Sequence, residues 1–283
     1  MNILITGSSG FIGTNLFLYL KKKNNKIFLL DRKKNQYLAT KNFYQFDLKN
    51  IKKIEELCLK KKIDTVIHLA AVSGVKPCHE NPLKAFKDNV VSTFNLLNVS
   101  KKLGIKKILL ASSFSVNNFY SAPSYYGYTK HTVENMAYSF KKNFKTNVSI
   151  LRFSNVFGSF SKHKISAVHN FIKNSLLNKP LDVHGSGKQS RDFIHVLDIV
   201  KKINNIIESK NMKLNYNLNT NIKTNLITII NTINKISQKN NKINFIKTPA
   251  GYDTTPDTIK VKKNINKKLY NSLQKTYNWY RNN

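Results

Sequence analysis

Cysteine is nearly missing from this chain: Cys58 and Cys78 are the only two in 283 residues, too few for a disulfide framework and without metal-site spacing. A reducing compartment is the expectation, and no metal. Long apolar runs are missing too. None reaches the ~18 residues of a membrane span, and no charged leader precedes the apolar stretch Asn2 to Thr6, so the expected location is cytoplasmic with no membrane partner. Acidic residues are scarce, 14 against 48 basic ones, leaving a formal net charge of +34. Yet arginine is scarcer still, with only Arg32, Arg152, Arg191 and Arg281. Nucleic-acid readers lean on the planar guanidinium, whereas these lysines are dispersed among asparagines over every expected surface, as A/T-rich codon usage produces. A specific nucleic-acid partner is therefore not expected. Six prolines and ten glycines form no linker, and no internal repeat is visible.

What is present starts with a strand. Asn2 to Thr6 is mostly apolar, as a strand covered on both faces is, and it runs into Gly7-Ser8-Ser9-Gly10-Phe11-Ile12-Gly13. Ile12, Leu16 and Leu20 then mark one helix face. Strand, glycine turn and helix in that order let backbone approach a pyrophosphate at a helix N-terminus. The next strand, Ile27 to Leu30, ends in Asp31, 18 residues past Gly13. An acid there accepts hydrogen bonds from an adenosine ribose and repels a 2′-phosphate, favouring NAD over NADP; the adjacent Arg32 is the counter-argument, since it is able to accommodate that phosphate.

The stretch from Ser112 to Lys130 carries the chemistry. Tyr126 and Lys130 lie four apart, one helical turn, and Ser113 follows the apolar strand Lys107 to Ala111. An ammonium ~4 Å from a phenol at an effective dielectric of ~20 favours the phenolate by roughly 4 kcal/mol, about 3 pKa units. Tyr126 would then fall from ~10 toward ~7, where a general base works.

The G-x-x-G-x-x-G spacing joined to Tyr-x-x-x-Lys resembles the extended short-chain dehydrogenase/reductase superfamily, in particular its nucleotide-sugar epimerases and dehydratases. The similarity continues through Asp47-Leu48, His68-Leu69-Ala70-Ala71, Ser73-Gly74-Val75, Tyr126-Gly127-Tyr128-Thr129-Lys130 and Arg152-Phe153-Ser154-Asn155-Val156-Phe157-Gly158. It resumes in Gly185-Ser186-Gly187-Lys188-Gln189-Ser190-Arg191-Asp192-Phe193-Ile194-His195. The resemblance implies an α/β doubly wound parallel sheet of the Rossmann type, with residues 1–157 binding NAD. A smaller C-terminal lobe, 158–283, would bind the nucleotide sugar, with 188–215 packing back on the first domain.

By the same resemblance Ser113, Tyr126 and Lys130 are catalytic. Gly7, Gly10, Phe11, Ile12, Gly13, Asp31, Arg32, Asp47, Leu48, Leu69, Ala70 and Ala71 join Tyr126 and Lys130 around the cofactor. Ser73, Ser113, Asn155, Arg191 and Asp253 bind substrate, and a homodimer forms through helices near 83–101 and 126–141. His68 reads as a packed core histidine.

Three departures stand out. The family's Val-Tyr-Gly is Val116-Asn117-Asn118 here, the late substrate arginine is replaced by Ala250, and Phe114-Ser115 lacks the acidic pair of the sugar dehydratases. The expected activity is C4 epimerisation of a UDP-hexose. A 4-keto-sugar reductase is the nearest alternative, and a catalytically silent dinucleotide-binding protein is one of another class.

Overall fold

The computed structural model describes residues 1–118, 124–247 and 265–283; Ala250, Asp253 and their neighbours lie outside them. Contacts divide the chain into two compact units, one of Met1–Phe153 with Val200–Leu218, the other of Ser154–Ile199 with Asn219–Asn283.

The first unit is built on strands β1 (Asn2–Thr6), β2 (Lys26–Asp31), β3 (Phe43–Gln45), β4 (Thr65–His68), β5 (Lys107–Ser113) and β6 (Val148–Phe153). Between them run α1 (Phe11–Leu20), α2 (Ile51–Lys60), α3 (Val75–Glu80), α4 (Pro82–Phe86), α5 (Ser92–Lys102) and α6 (Tyr125–Phe144). A π-turn, Lys87–Val91, joins α4 to α5, and a 3-10 turn, Phe114–Asn118, follows β5.

In the second unit β7 (Asn155–Phe157) is followed by α7 (Ala167–Leu176), β8 (Leu181–His184) and β9 (Ser190–His195). Helix α8 (Val196–Glu208) then leads to β10 (Asn215–Leu218), which joins the first unit's sheet. The chain ends through β11 (Lys223–Asn225), α9 (Leu226–Ser237), β12 (Ile243–Ile246) and α10 (Lys267–Asn282).

Seven strands form one parallel sheet in the order β10-β6-β5-β4-β1-β2-β3. Ile3, Leu4 and Ile5 are consecutive and wholly buried, so both faces of β1 are covered, as an apolar run without alternation requires. This is the doubly wound Rossmann arrangement. Its direction of winding reverses between β1 and β4, and ligands of such sheets bind beyond the carboxyl ends of the strands at that point.

Asparagine, abundant for reasons of composition, serves as helix cap. Asn50 accepts from the Lys53 amide at 3.1 Å and Asn81 from Lys84 at 2.9 Å, each replacing one of the bonds a helix start leaves unmade. Helix α6 is capped by Ser124, which accepts from the Gly127 amide at 3.1 Å.

The second unit has a three-stranded sheet, β11-β9-β7, and the parallel pair β12-β8. Phe157, Phe171, Ile229, Ile233 and Leu273 form its core. Residues 155–157, read from sequence with the first domain, pair here with β9 through Asn155 and Phe193; of 188–215, the part from Val200 onward belongs to the first unit. No described helix is long and apolar enough to cross a membrane.

Candidate active site

The carboxyl end of β1 makes the glycine turn. Gly7 has φ +67°, and a Cβ there would lie 2.5 Å from the Ala70 nitrogen; a Cβ on Gly13 would lie 2.3 Å from the Gly7 carbonyl oxygen. Both distances are far inside van der Waals contact, so only glycine brings β1, the start of α1 and the Leu69-Ala70 segment after β4 this close. Gly10 is the N-cap of α1, with no side-chain cap and no acid in the first helical turn.

Asn35, which no sequence motif marked, pins this turn: its Nδ2 donates to the Ser9 carbonyl and to Thr14 Oγ1, both at 2.8 Å. The hydroxyls of Ser8 and Ser9 are buried with no hydrogen-bond partner among the described residues.

Asp31, at the end of β2, folds onto the same turn and accepts from the Ser9 amide at 2.9 Å. Arg32 turns elsewhere. Its Nη1 lies 2.9 Å from Asp88 Oδ2 and 3.8 Å from Asp47 Oδ2. Leu48 is core, buried among Leu4, Phe28 and Leu96, so only its backbone is left to face a ligand. Phe11 is buried, Ile12, Ala70 and Ala71 are half-buried, and Ser73 is exposed.

Strand β5 extends two residues beyond its apolar run and carries Ser113 at its end. Ser113 hydrogen-bonds to the Tyr126 phenol, and its Oγ also accepts from the Ser115 amide at 3.1 Å. Gly127 makes the approach possible, since a Cβ there would sit 3.1 Å from the Ser115 carbonyl oxygen. Lys130 is buried one turn along α6, its Nζ donating to the Ala111 carbonyl at 2.8 Å and lying 6.0 Å from the Tyr126 ring centre. The three side chains thus meet at the end of β5.

The expected lowering of the tyrosine pKa is not found. Burial pushes Tyr126 up to about 12, against the opposing hydrogen bond from Ser113. Burial likewise pulls Lys130 down to about 8, with Cys78 and Glu134 opposing. The sequence-based estimate weighed only the attraction between ammonium and phenolate. Desolvation disfavours the charged form of each, and here it outweighs the pairing.

Behind the site a buried ion pair joins its elements. Arg152 Nε and Nη2 donate to Glu134 at 2.9 and 2.5 Å, and Ser112 Oγ donates to the same carboxylate at 2.5 Å. Glu134 is one turn beyond Lys130 and Ser112 is next to Ser113, so this bidentate contact ties β5 and β6 to α6. Asn89 is another anchor. It brackets Val72 with bonds to its amide (2.7 Å) and carbonyl (3.1 Å) and donates to Thr129 Oγ1 at 3.0 Å.

His68 is the packed core histidine expected. Thr93 Oγ1 donates to the Asn89 carbonyl at 2.6 Å, so it accepts from His68 Nε2 (2.9 Å), leaving Nδ1 to accept from Thr6 Oγ1 at 2.6 Å. That network suits the neutral ring.

In the second unit Asn155 is exposed on β7 and its Nδ2 donates to the Asp192 carbonyl at 3.4 Å. Arg191 on β9 donates from Nη1 to the Ser190 carbonyl at 2.8 Å. Asp192 accepts from the Thr220 amide at 3.0 Å, the Ile222 amide at 3.2 Å and Ser154 Oγ at 3.1 Å. Asp198 pairs with Lys268 at 3.0 Å. Asp253 lies outside the described residues.

The model of the NAD dependent epimerase/dehydratase family matches residues 3–219. The chain belongs to that family. Its members are enzymes of the extended short-chain dehydrogenase/reductase type. Among relatives of this epimerase/dehydratase chain, a UDP-glucuronate 4-epimerase of Thermodesulfobacterium geofontis is 30% identical over 223 residues, covering 70% of this chain and 69% of the relative. A dTDP-D-glucose 4,6-dehydratase of Dictyostelium discoideum is 31% identical over 251 residues, covering 76% and 57%. The crystal structure of UDP-glucuronic acid 4-epimerase from Bacillus cereus, in complex with UDP-glucuronic acid and NAD, superposes with a TM-score of 0.87 at 26% identity, over 100% of this chain and 99% of that one.

Proposed function

We propose that the protein is an NAD-dependent nucleotide-sugar epimerase acting at C4 of a UDP-hexose. The observation that carries the reading is the hydrogen-bonded Ser113–Tyr126 pair with the Lys130 amine one turn away, at the end of β5 in a sheet whose first turn is an uncapped glycine cradle. The cradle fits a dinucleotide. Gly7 and Gly13 keep it open to backbone approach, the Ser8 and Ser9 hydroxyls lack partners among the described residues, and Asp31, bonded to the Ser9 amide, is the acid that would take a ribose. Leu69, Ala70 and Ala71 would line it after β4, and Lys130 would hold the nicotinamide ribose. Arg191 and Asn155 of the second unit are assigned to the nucleotide diphosphate and the sugar, with Asp253.

In this mechanism Tyr126 would act as phenolate, having given up its own proton with cofactor and substrate bound; it then takes the proton of the C4 hydroxyl, and Ser113 donates to the keto oxygen as it forms. Lys130 supplies positive charge near the phenol. When bound, NAD would supply the acceptor for the C4 hydrogen together with its bonding electron pair, and the donor that returns both to the other face once the keto sugar has turned. Tyr126 then gives the proton back to the alkoxide on the opposite configuration, so no net oxidant is consumed. Neither Phe114 nor Ser115, directly after Ser113, is an acid, which favours epimerisation over loss of water.

The test is to incubate the purified chain with UDP-, GDP-, CDP- and dTDP-sugars, with and without added cofactor, and follow the sugars by NMR. A new C4 epimer without added cofactor is expected. A strict need for added NADPH would instead identify a 4-keto-sugar reductase.

A homodimer through α4, α5 and α6 belongs to the same proposal. Leu83, Phe94, Tyr138 and Phe144 are large apolar side chains left exposed on these helices, and Phe94 and Phe144 line, with Phe140 and Met136, a cavity of about 410 Å³. Light scattering should give twice the mass of one chain, and Phe94→Glu with Tyr138→Glu should halve it. A monomeric mass for the unaltered protein would remove this part of the proposal.

A further inference from the structure

Beyond the end of β2, three cations converge on one carboxylate. Asp88, in the π-turn between α4 and α5, is only 7% exposed. Its Oδ2 accepts from Arg32 Nη1 at 2.9 Å and from Lys84 Nζ, and its Oδ1 lies 3.5 Å from Lys49 Nζ. Asp47 is a weaker second partner, 3.2 Å from Lys49 and 3.8 Å from Arg32. Each of the three cations is more than two-fifths exposed, so the buried group at the centre is the acid. Burial alone would raise the Asp88 pKa; hydrogen bonds from Lys84 and Arg32 outweigh it and hold the carboxyl below its ordinary value. Asp88 therefore stays ionised at neutral pH.

The position of this cluster gives it a function. Arg32 directly follows Asp31, the acid placed for the adenosine ribose, and an arginine at that point is the group that accommodates a 2′-phosphate. A guanidinium already gripped by a buried carboxylate has to break a charge-assisted hydrogen bond to do so. Three cations without their anion would instead attract a dianionic phosphate.

We infer that Asp88 is a specificity-determining residue, which keeps Arg32, Lys49 and Lys84 engaged and so biases the site toward NAD and against NADP. The inference rests on the dinucleotide reading above. It assigns the discrimination to two acids, Asp31 facing the ribose and Asp88 withholding the cations.

The test measures dissociation constants of NADH and NADPH by the change in nicotinamide fluorescence, on the purified full chain and its variants. Asp88→Asn keeps size and one hydrogen-bonding oxygen while removing the charge. It should tighten NADPH relative to NADH at least tenfold, and Asp88→Asn with Arg32→Ala should lose most of that gain. An unchanged ratio in Asp88→Asn, with NADH still bound, overturns the inference.

Arg32→Ala alone, a change at a half-exposed side chain, provides a second arm should Asp88→Asn not fold. With Arg32 already withheld, it should move NADPH affinity less than twofold. A tenfold loss of NADPH affinity with NADH unchanged would mean Arg32 already serves as a phosphate ligand, and Asp88 does not restrain it. Binding of neither nucleotide by the unaltered protein would instead remove the dinucleotide reading itself.

Discussion

Replacing Tyr126 by phenylalanine should lower turnover of the nucleotide sugar by about 10³-fold while NAD stays bound, because only the proton-transfer oxygen is removed. The ring remains where α6 places it, half-buried beside Lys130. Ser113 keeps its bond from the Ser115 amide, so the local backbone has no reason to move. The oxygen matters more here than a surface phenol would, since burial has pushed its pKa up to about 12 and Ser113 opposes that rise. The phenol is therefore protonated at rest and has to give up that proton, with substrate and cofactor bound, before it can take one from the sugar. Single-turnover NMR on the variant, with retained NAD quantified by absorbance, checks this. Turnover within tenfold of the unaltered protein would remove Tyr126 from the mechanism.

Acid should unfold the protein early, by way of histidines buried in the neutral state. Burial lowers His68 from 6.5 to about 3, with Lys130 adding repulsion, and lowers His169 to about 3 and His195 to about 4. The unfolded chain binds these protons as pH falls through about 6.5, whereas the folded chain does not until pH 3 to 4. The unfolded state thus holds more protons across that window, and stability falls with falling pH. For His68 the full difference is about 5 kcal/mol, comparable with the whole stability of many domains.

The urea midpoint followed by circular dichroism should drop steeply between pH 6.5 and pH 4 and be nearly flat from pH 7 to pH 8. His68→Gln, which keeps polar contact with the two threonines but cannot titrate, should flatten the first unit's share of that slope. An equal midpoint at pH 7 and pH 4.5 would show that these rings are not held neutral.

Much of the site was legible because its residues act through neighbours close in sequence. Gly7, Gly10 and Gly13 read as a phosphate turn since strand, turn and helix follow one another directly, and Tyr126 and Lys130 read as a pair since helical periodicity alone puts them on one face. His68 could be assigned to the core from the apolar strand around it. Other residues escaped for the opposite reason. Asn35 is twenty-one positions from its partner Thr14, and Asn89 forty from Thr129. Asp88 reaches Arg32 across fifty-six. None of these pairings follows from a local period.

Asp192 accepts the Thr220 and Ile222 amides, contacts made only once β9 and the loop before β11 are side by side. The proton affinities of Tyr126 and Lys130 escaped too, since Coulomb attraction can be estimated from spacing but desolvation needs the full surroundings.

The order of apolar strands and the glycines between them decided, from sequence alone, that this chain winds a parallel sheet with a tight glycine turn at its start and a tyrosine and lysine on one helix. Those features depend on backbone geometry and on residues a few positions apart. Tertiary structure decided which charges are buried, which cations are engaged by Asp88 and which way each proton affinity moves, because those depend on the dielectric and the partners that distant segments bring together.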